Sequence, residues 1–376
     1  MSASLADILP EDAFAGVLVG RVLLDDGPHV VAVREEALFD LSQIAPTMSD
    51  LFDLEAPAEA VRATRGERLA GLAEAMGKGV LLAPCDLSAI KAAGVTFVGS
   101  LIERLVEERA EGDPAAAEAL RDELNSLVGG ALRGLKPGSE AAAALKTALV
   151  KKELWSQYLE VAIGPDAEIF TKAQPLSAVG WGARIGIHPR SAWSNPEPEI
   201  VLACSARGEA VGASLGNDVN LRDFEGRSAL LLARAKDNNA SCAIGPFVRL
   251  FDTGYSLDDV RRARVCLDVT GPDGFSVRGE YGLEEISRDP LELVAAAWSE
   301  HQYPDGLMLF LGAGHVPTDD RRGLGQGFTH VDGDRVRIAS PGLGVLLNTV
   351  ARSNEAGPWT FGARALMHSL ARRGLV

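Results

Sequence analysis

Three acidic residues constrain this chain more than any other feature: Glu197, Glu199 and Asp218. The two glutamates lie in the segment NPEPE, whose prolines favour an extended backbone in which residues i and i+2 share one face. An apolar run, a polar turn and a second apolar run lead from there to Asp218, which predicts a β-hairpin. A tip at Gly208 and Glu209 would place Asp218 directly opposite Glu199, at about 5 Å. The sequence therefore predicts three carboxylates on one face of a hairpin.

Such a cluster of carboxylates requires compensation. At an effective dielectric of about 20, each close pair costs roughly 3 kcal/mol and the whole cluster costs about 8 kcal/mol. Because a domain's stability is only about 5–15 kcal/mol, the cluster needs a bound cation or a shared proton. An all-carboxylate ligand set suits a hard ion, which favours Mg²⁺, with Mn²⁺ or Ca²⁺ as alternatives. An acidic loop with solvated carboxylates beside an edge strand is the competing interpretation, and spacing alone leaves it open.

Length, charge and cysteine usage limit the classes of protein. A chain of 376 residues allows one large domain or two, and 47% hydrophobic with 24% charged residues is typical of a globular protein. The net charge of −15 argues against nucleic acid or an anionic membrane as a partner. No window approaches the ~18 apolar residues of a membrane span, and the N-terminus lacks the basic region of a signal peptide. The four scattered cysteines suit free thiols in a reducing compartment, so we expect a cytoplasmic enzyme or binding protein.

The pattern of apolar residues predicts an α+β fold. Residues 15–45 alternate short apolar runs with turn signals, which indicates a small N-terminal sheet. Between about 100 and 160 the apolar residues recur at helical intervals, and Asp113 before a proline supplies a helix start. Short apolar runs separated by Gly, Pro, Asp and Asn follow, as in a β-rich roll or sandwich. We therefore expect a small N-terminal α/β module over 1–88 and a β-rich catalytic domain over 89–376, which includes the helical segment.

The acidic motif also resembles a known family. Glu197-Pro198-Glu199, followed by GNDVNLRD at 216–223, is similar to the metal-binding signature of the fumarylacetoacetate hydrolase family. Three further segments support the resemblance, which covers roughly residues 90–350: GVTF at 94–97, EIFTK at 168–172 and GVLLN at 344–348. The resemblance implies a β-rich catalytic roll, a divalent metal held by the three carboxylates, and a homodimer or higher homo-oligomer.

A narrower resemblance concerns one branch of that family. The segments DFEGRS at 223–228 and KDNNASCAIGPF at 236–247 are similar to the branch that dehydrates 2-keto-3-deoxy sugar acids, and GQGFTH at 325–330 fits less specifically. This resemblance implies Mg²⁺-dependent dehydration of a 2-keto-3-deoxy-pentonate, such as the xylonate or the L-arabinonate, to 2-oxoglutarate semialdehyde. The chain would then be a hydro-lyase of pentose catabolism with a small 2-keto acid as its substrate.

The resemblance implies roles for five more residues. Glu168 and Lys236 would lie beside the metal, with Glu168 as a general acid or base whose pKa is raised towards neutrality by burial. Substrate contacts would come from Lys172, Arg222 and Ser241. Each residue also has a structural alternative: a surface glutamate for Glu168, a solvated helix-end lysine for Lys236, ion-pair partners for Lys172 and Arg222, and a turn serine for Ser241.

At one position the chain departs from the family's pattern, so other functions remain as alternatives. Many family members have Gly-Thr where this chain has Gly312-Ala313, and that threonine hydroxyl commonly helps to hold the substrate carboxylate. The same metal site would also serve an acylpyruvate or fumarylacetoacetate-type C–C hydrolase, or an oxaloacetate decarboxylase. A catalytically silent sugar-acid binder is a third interpretation. His330 is expected to be a satisfied loop histidine rather than a catalyst.

Overall fold

The structure is a computed structural model that describes residues 8–110, 132, 134–151 and 155–376. The predicted helix start at Asp113 lies outside these residues. The strands are β1 (Val17–Leu24), β2 (Gly27–Arg34), β3 (Ala37–Asp40), β4 (Arg68–Gly71), β5 (Leu81–Leu82), β6 (Ala89–Gly94), β7 (Glu168–Ala173), β8 (Arg184–Ile187), β9 (Ser194–Asn195), β10 (Pro198–Cys204), β11 (Ala210–Asp218), β12 (Asn220–Leu221), β13 (Cys242–Leu250), β14 (Arg264–Thr270), β15 (Ser276–Gly282), β16 (Leu307–Phe310), β17 (Arg335–Ser340) and β18 (Gly344–Arg352). The helices are α1 (Met48–Asp53), α2 (Pro57–Ala63), α3 (Leu72–Lys78), α4 (Val98–Arg109), α5 (Glu140–Lys151), α6 (Gln157–Ile163), α7 (Arg222–Glu225), α8 (Leu232–Lys236), α9 (Leu257–Arg261), α10 (Pro290–Trp298) and α11 (Ala363–Arg372).

Most of these strands belong to two sheets. The larger sheet has 11 strands in the order β4-β3-β2-β1-β13-β11-β10-β16-β6-β7, with β5 paired to β1. The smaller sheet has five strands in the order β15-β14-β17-β18-β8, and β9 pairs with β12 separately. This sheet-rich architecture with several helices is the α+β class that the sequence predicts. In the described residues, no helix combines the length and the apolar character needed to cross a membrane.

The N-terminal strands continue the large sheet. The predicted small sheet is present as β1–β4, and β1 pairs with β13 through Val17 opposite Leu250. Hydrogen bonds therefore run without interruption from the N-terminal strands into those that carry the acidic motif. The division into modules at residue 88 stays a prediction.

The strand β10 lies inside the large sheet and is buried on both faces. All seven of its residues are buried, which explains its continuous apolar run rather than an alternating one. Ile200 and Leu202 pack into a core that includes residues of the five-stranded sheet, whereas Val201 and Ala203 pack against the N-terminal helices. The acidic motif is thus attached to a strand fixed by two cores.

Candidate metal centre

The predicted hairpin is present, and its register differs from the prediction by two residues. Strands β10 and β11 pair antiparallel, as expected, around a turn at 205–209 that includes Gly208. Glu199 lies opposite Gly216, whereas the amide of Asp218 donates to the carbonyl of Glu197 at 3.0 Å. The expected Glu199–Asp218 opposition is therefore wrong, because the turn is centred on Arg207, with Cys204 opposite Ala210, rather than between Gly208 and Glu209. The bulge at the end of β10 offsets one residue of this difference, which leaves a shift of two. A shift of two residues keeps every side chain on its original face.

The three carboxylates converge as the sequence predicts. One oxygen from each of Glu197, Glu199 and Asp218 lies within 4.8 Å of the other two, and all three residues are buried. The donor set consists of carboxylate oxygens, which are the ligands of hard divalent cations such as Mg²⁺. The residues therefore fit the group that the resemblance implies, and the alternative of a solvated acidic loop is excluded by their burial.

Two buried lysines compensate the negative charge. The Lys236 ammonium contacts Glu197 Oε2 and donates to Asp218 Oδ2 at 2.9 Å, while Lys172 Nζ lies 2.7 Å from Asp218 Oδ1. Burial opposes the charged form of Lys236, but Asp218 and Glu197 outweigh it and raise the pKa of this lysine. Burial would likewise raise the pKa of Asp218, yet the two lysines lower it. The lysines thus supply part of the positive charge that the cluster requires.

Glu199 is held by a backbone amide at the end of β16. Its Oε2 accepts a hydrogen bond from the Gly312 amide at 2.6 Å, and burial, Asp218 and Glu197 raise its pKa well above the usual value. Gly312 has φ of +97°, and a Cβ there would lie 1.9 Å from Thr96 Oγ1. Glycine is therefore required at this position, and the following Ala313 lines the cavity.

Glu168 is a buried carboxyl group beside the acidic triad. It begins β7 opposite Gly94 of β6, and a Cβ on Gly94 would lie 1.9 Å from Glu168 Oε2. Burial raises the pKa of Glu168, and the positive charges of Arg104 and Lys236 partly oppose this shift. Glu168 and Lys236 both line the cavity that contains the triad.

The three predicted substrate contacts lie behind the cavity. Lys172 donates to the carbonyl of Val219 at 3.1 Å, in addition to contacting Asp218. The Ser241 hydroxyl lies 2.7 Å from the carbonyl of Lys236, so it anchors the end of α8. Arg222 donates to Glu103 at 2.7 Å and lies over the Trp193 ring. None of the three is among the described residues that line the cavity, so we infer supporting rather than substrate-binding positions for them.

Arg104 and Glu225 are cavity residues that sequence reasoning missed. Arg104 of α4 donates to Glu197 Oε1 at 2.6 Å, and its other terminal nitrogen lies 2.7 Å from Glu225 Oε2. The helical periodicity around Arg104 indicates an amphipathic helix whose charged residues would ordinarily face solvent. The available signal was the DFEGRS segment, which contains Glu225 and which resembles the dehydratase branch.

Tyr281 connects the triad to the five-stranded sheet. Its hydroxyl donates to the carbonyl of Pro198, the residue between the two glutamates, at 2.8 Å. Burial raises the pKa of Tyr281 well above its usual value, and Phe97 packs edge-on against the ring. A strand of the second sheet therefore holds the backbone of the ligand motif.

His330 belongs to a buried ion-pair network away from the cavity. Its Nδ1 lies 2.9 Å from Asp334 Oδ2, and Asp334 also pairs with Arg321 through two contacts of 2.7 Å. Burial lowers the pKa of His330. The residue lies in a loop, as expected, and is not among the described residues that line the cavity. It is not fully satisfied, because its buried Nε2 has no hydrogen-bond partner among the described residues.

The cavity beside the triad is small and strongly charged. Its volume is about 30 Å³. Arg104, Phe170 and Val316 contribute to its walls.

This fold and this site define the class: the chain has the fumarylacetoacetate-hydrolase-like fold. A solved structure of fumarylacetoacetate hydrolase from Exiguobacterium antarcticum superposes with a TM-score of 0.57 at 16% identity, over 89% of this chain and 99% of that chain. A structure of 2-keto-3-deoxy-D-arabinonate dehydratase complexed with magnesium and 2,5-dioxopentanoate superposes with a TM-score of 0.60 at 18% identity, over the same shares of the two chains. No family model matches the chain.

Two curated relatives narrow the resemblance. The chain is 31% identical over 193 residues to a probable 2-keto-3-deoxyxylonate dehydratase of Haloferax volcanii, which is 51% of this chain and 63% of that protein. It is 30% identical over 191 residues to 2-dehydro-3-deoxy-D-arabinonate dehydratase of Saccharolobus solfataricus, which is 50% of this chain and 60% of that protein. The match thus spans about six-tenths of each relative's length. The expected similarity to 2-keto-3-deoxy-pentonate dehydratases is confirmed.

Proposed function

We propose that this chain is a hydro-lyase that converts a 2-keto-3-deoxy-pentonate to 2-oxoglutarate semialdehyde with Mg²⁺ bound to Glu197, Glu199 and Asp218. The buried triad with Glu168 and Lys236 at its edge is the observation that carries the proposal. Relatives named as dehydratases of such acids support the substrate class. The metal would supply Lewis-acid polarisation of the substrate's 2-keto oxygen and so acidify the protons on C3.

Glu168 is the proposed base. Its raised pKa allows a carboxyl group to take a proton from C3 and to return one to the departing C4 hydroxyl. The raised pKa of Lys236 keeps that side chain an ammonium ion, so it acts as a donor rather than a base. Loss of the C3 proton and the C4 hydroxyl as water leaves an unsaturated alcohol that isomerises to the aldehyde.

The charge of the site favours a substrate with one carboxylate. Six carboxyl groups and four basic side chains surround or support the cavity in the described residues, which leaves a formal charge of −2: Glu103, Glu168, Glu197, Glu199, Asp218 and Glu225 against Arg104, Lys172, Arg222 and Lys236. With Glu168 ionised as the base, a divalent cation bound by the triad would bring the site to a formal charge of 0. A sugar acid adds one negative charge to this site, whereas oxaloacetate and fumarylacetoacetate add two, and each added charge is repelled by the buried carboxylates.

The test is aldehyde formation from 2-keto-3-deoxy-xylonate and 2-keto-3-deoxy-arabinonate, in Mg²⁺ and in EDTA. We expect turnover with Mg²⁺, none in EDTA, and none with Glu168→Gln, which should still bind the substrate. Faster cleavage of acetylpyruvate or decarboxylation of oxaloacetate would favour the other reactions of the same metal site. Thermal stabilisation by the sugar acids without any product would favour the silent binder.

The metal ion, the oligomeric state and the cellular role each need a separate test. We propose Mg²⁺ as the physiological ion, a homodimer or higher homo-oligomer, and a cytoplasmic role in pentose catabolism. Reconstitution of the metal-stripped protein with Mg²⁺, Mn²⁺ and Ca²⁺ compares the ions, and sedimentation measures the oligomeric state. A monomer with full activity would remove the oligomer from the proposal.

A further inference from the structure

We propose that Glu225 selects for 2-keto acids with a single carboxylate, by occupying one arm of the Arg104 guanidinium. Arg104 lines the cavity, and its two terminal nitrogens contact Glu197 Oε1 at 2.6 Å and Glu225 Oε2 at 2.7 Å. The exposed fractions of the Arg104 and Glu225 side chains are 12% and 5%. The inference rests on the proposed function only in taking a 2-keto acid as the ligand of this cavity.

Arg104 would otherwise suit a second substrate carboxylate. A guanidinium presents a planar fork of donors that matches carboxylate geometry, which an ammonium such as that of Lys236 does not. Both ends of the Arg104 fork already contact carboxylates of the protein. A dicarboxylic acid would have to displace Glu225 and place its own charge beside that residue, in a buried setting where like charges repel strongly.

Two ion pairs between α4 and α7 fix the position of Glu225. Glu103 and Arg104 are consecutive residues of α4, and they pair with Arg222 and Glu225, the first and last residues of α7. Because α7 is a single turn, its two ends have little freedom to move apart. The Glu225 carboxylate is therefore held against Arg104 rather than free to swing towards solvent.

Two ligands of equal length test the selection. 2-Oxopentanoate and 2-oxoglutarate share a five-carbon 2-keto acid and differ by the second carboxylate, and titration calorimetry on the Mg²⁺-loaded protein measures both without turnover. In the wild type we expect 2-oxopentanoate to bind at least about tenfold more tightly. Glu225→Gln should improve 2-oxoglutarate binding at least about tenfold and change 2-oxopentanoate binding less than about threefold.

Three further variants complete the experiment. Glu280→Gln removes an exposed glutamate that pairs with Arg264 at 2.7 Å, and it should leave the ratio of the two affinities unchanged. Arg104→Lys combined with Glu225→Gln should lose the gained affinity, because the fork is gone while the charge remains. If Glu225→Gln does not fold, Glu225→Asp retracts the carboxylate at constant charge and should give an intermediate ratio.

The outcomes separate this inference from the proposed function. An unchanged affinity ratio in Glu225→Gln, with 2-oxopentanoate still bound, would overturn the selection and leave the 2-keto acid site intact. A gain that survives Arg104→Lys would show general charge repulsion and would also overturn the role of the fork. Failure of both acids to bind the Mg²⁺-loaded wild type would remove both proposals.

Discussion

At the scale of single residues, substitution of Glu199 should weaken Mg²⁺ binding without destabilising the metal-free protein. Glu199→Gln keeps the shape and the hydrogen bond from Gly312 but removes the negative charge, so Mg²⁺ affinity should fall at least roughly tenfold. Since the folded protein raises the pKa of Glu199, the wild type loses stability as the pH rises through that pKa. The metal-free variant should therefore be no less stable than the wild type, and its advantage should grow with pH.

Thermal melts in EDTA at several pH values, with Mg²⁺ titrations alongside, check this prediction. Unchanged Mg²⁺ affinity in Glu199→Gln would take Glu199 out of the metal site.

Substitution of Lys236 should instead destabilise the metal-free protein and increase its stabilisation by Mg²⁺. Its ammonium bridges Glu197 and Asp218, so Lys236→Met leaves buried negative charge uncompensated, which typically costs about 3–5 kcal/mol. Mg²⁺ would restore the missing positive charge, and we expect a larger increase in Tm on adding Mg²⁺ than in the wild type, with turnover lost. Lys78→Met is the control, because Lys78 pairs with Glu74 on the surface. Equal Mg²⁺-induced shifts in Lys236→Met and the wild type would contradict the prediction.

At the scale of elements, the turn between β2 and β3 is strained. Glu35 and Glu36 have φ of 46° and 62°, and both are exposed. Such left-handed turns join hairpin strands well but favour glycine and asparagine. Glu36→Gly should therefore raise the free energy of unfolding by about 0.5–1 kcal/mol, read from urea denaturation. The same change at exposed Glu67, which lacks a positive φ, should bring no gain, and a loss at Glu36 would contradict the argument.

At the scale of the whole molecule, Tyr281 couples the two sheets at the metal site. Tyr281→Phe removes the donor to the Pro198 carbonyl and should cost about 1–3 kcal/mol of stability, with weaker Mg²⁺ binding as a second effect. Tyr303→Phe is the matched control, because that hydroxyl donates at 3.1 Å to the carbonyl of Ala297, outside the site. The two variants should lose similar stability, measured by denaturation. Equal Mg²⁺ affinities by calorimetry would show that Tyr281 does not position the ligand motif.

The sequence predicts those features of the site that depend on neighbouring residues. It does not predict those that depend on contacts between residues far apart in the chain. The convergence of Glu197, Glu199 and Asp218 follows from local rules, namely the extended backbone around prolines and the two-residue period of strands. The exact pairing did not follow, because the polar stretch at 205–209 does not specify its central residue, and the bulge at the end of β10 has no local signal in the chain. The contact of Arg104 with Glu225 arises from tertiary packing between helices far apart in sequence, which periodicity does not report.

The sequence also did not predict the direction in which buried side chains point. The resemblance implies that Lys172 and Ser241 contact the substrate. Their polar atoms nevertheless contact protein carbonyls rather than the cavity, because each buried donor must find an acceptor close to its own backbone.

The burial of this charged site also restricts the reactions that suit it, because each change in the net charge of a buried site costs solvation energy. Dehydration turns one monoanion into another plus neutral water. Hydrolysis of an acylpyruvate instead yields two acids and releases a proton, and decarboxylation of oxaloacetate takes a proton up. We therefore expect the pH of an almost unbuffered solution to stay constant while aldehyde accumulates, and a glass electrode that recorded acid or base production would point to one of the other two chemistries.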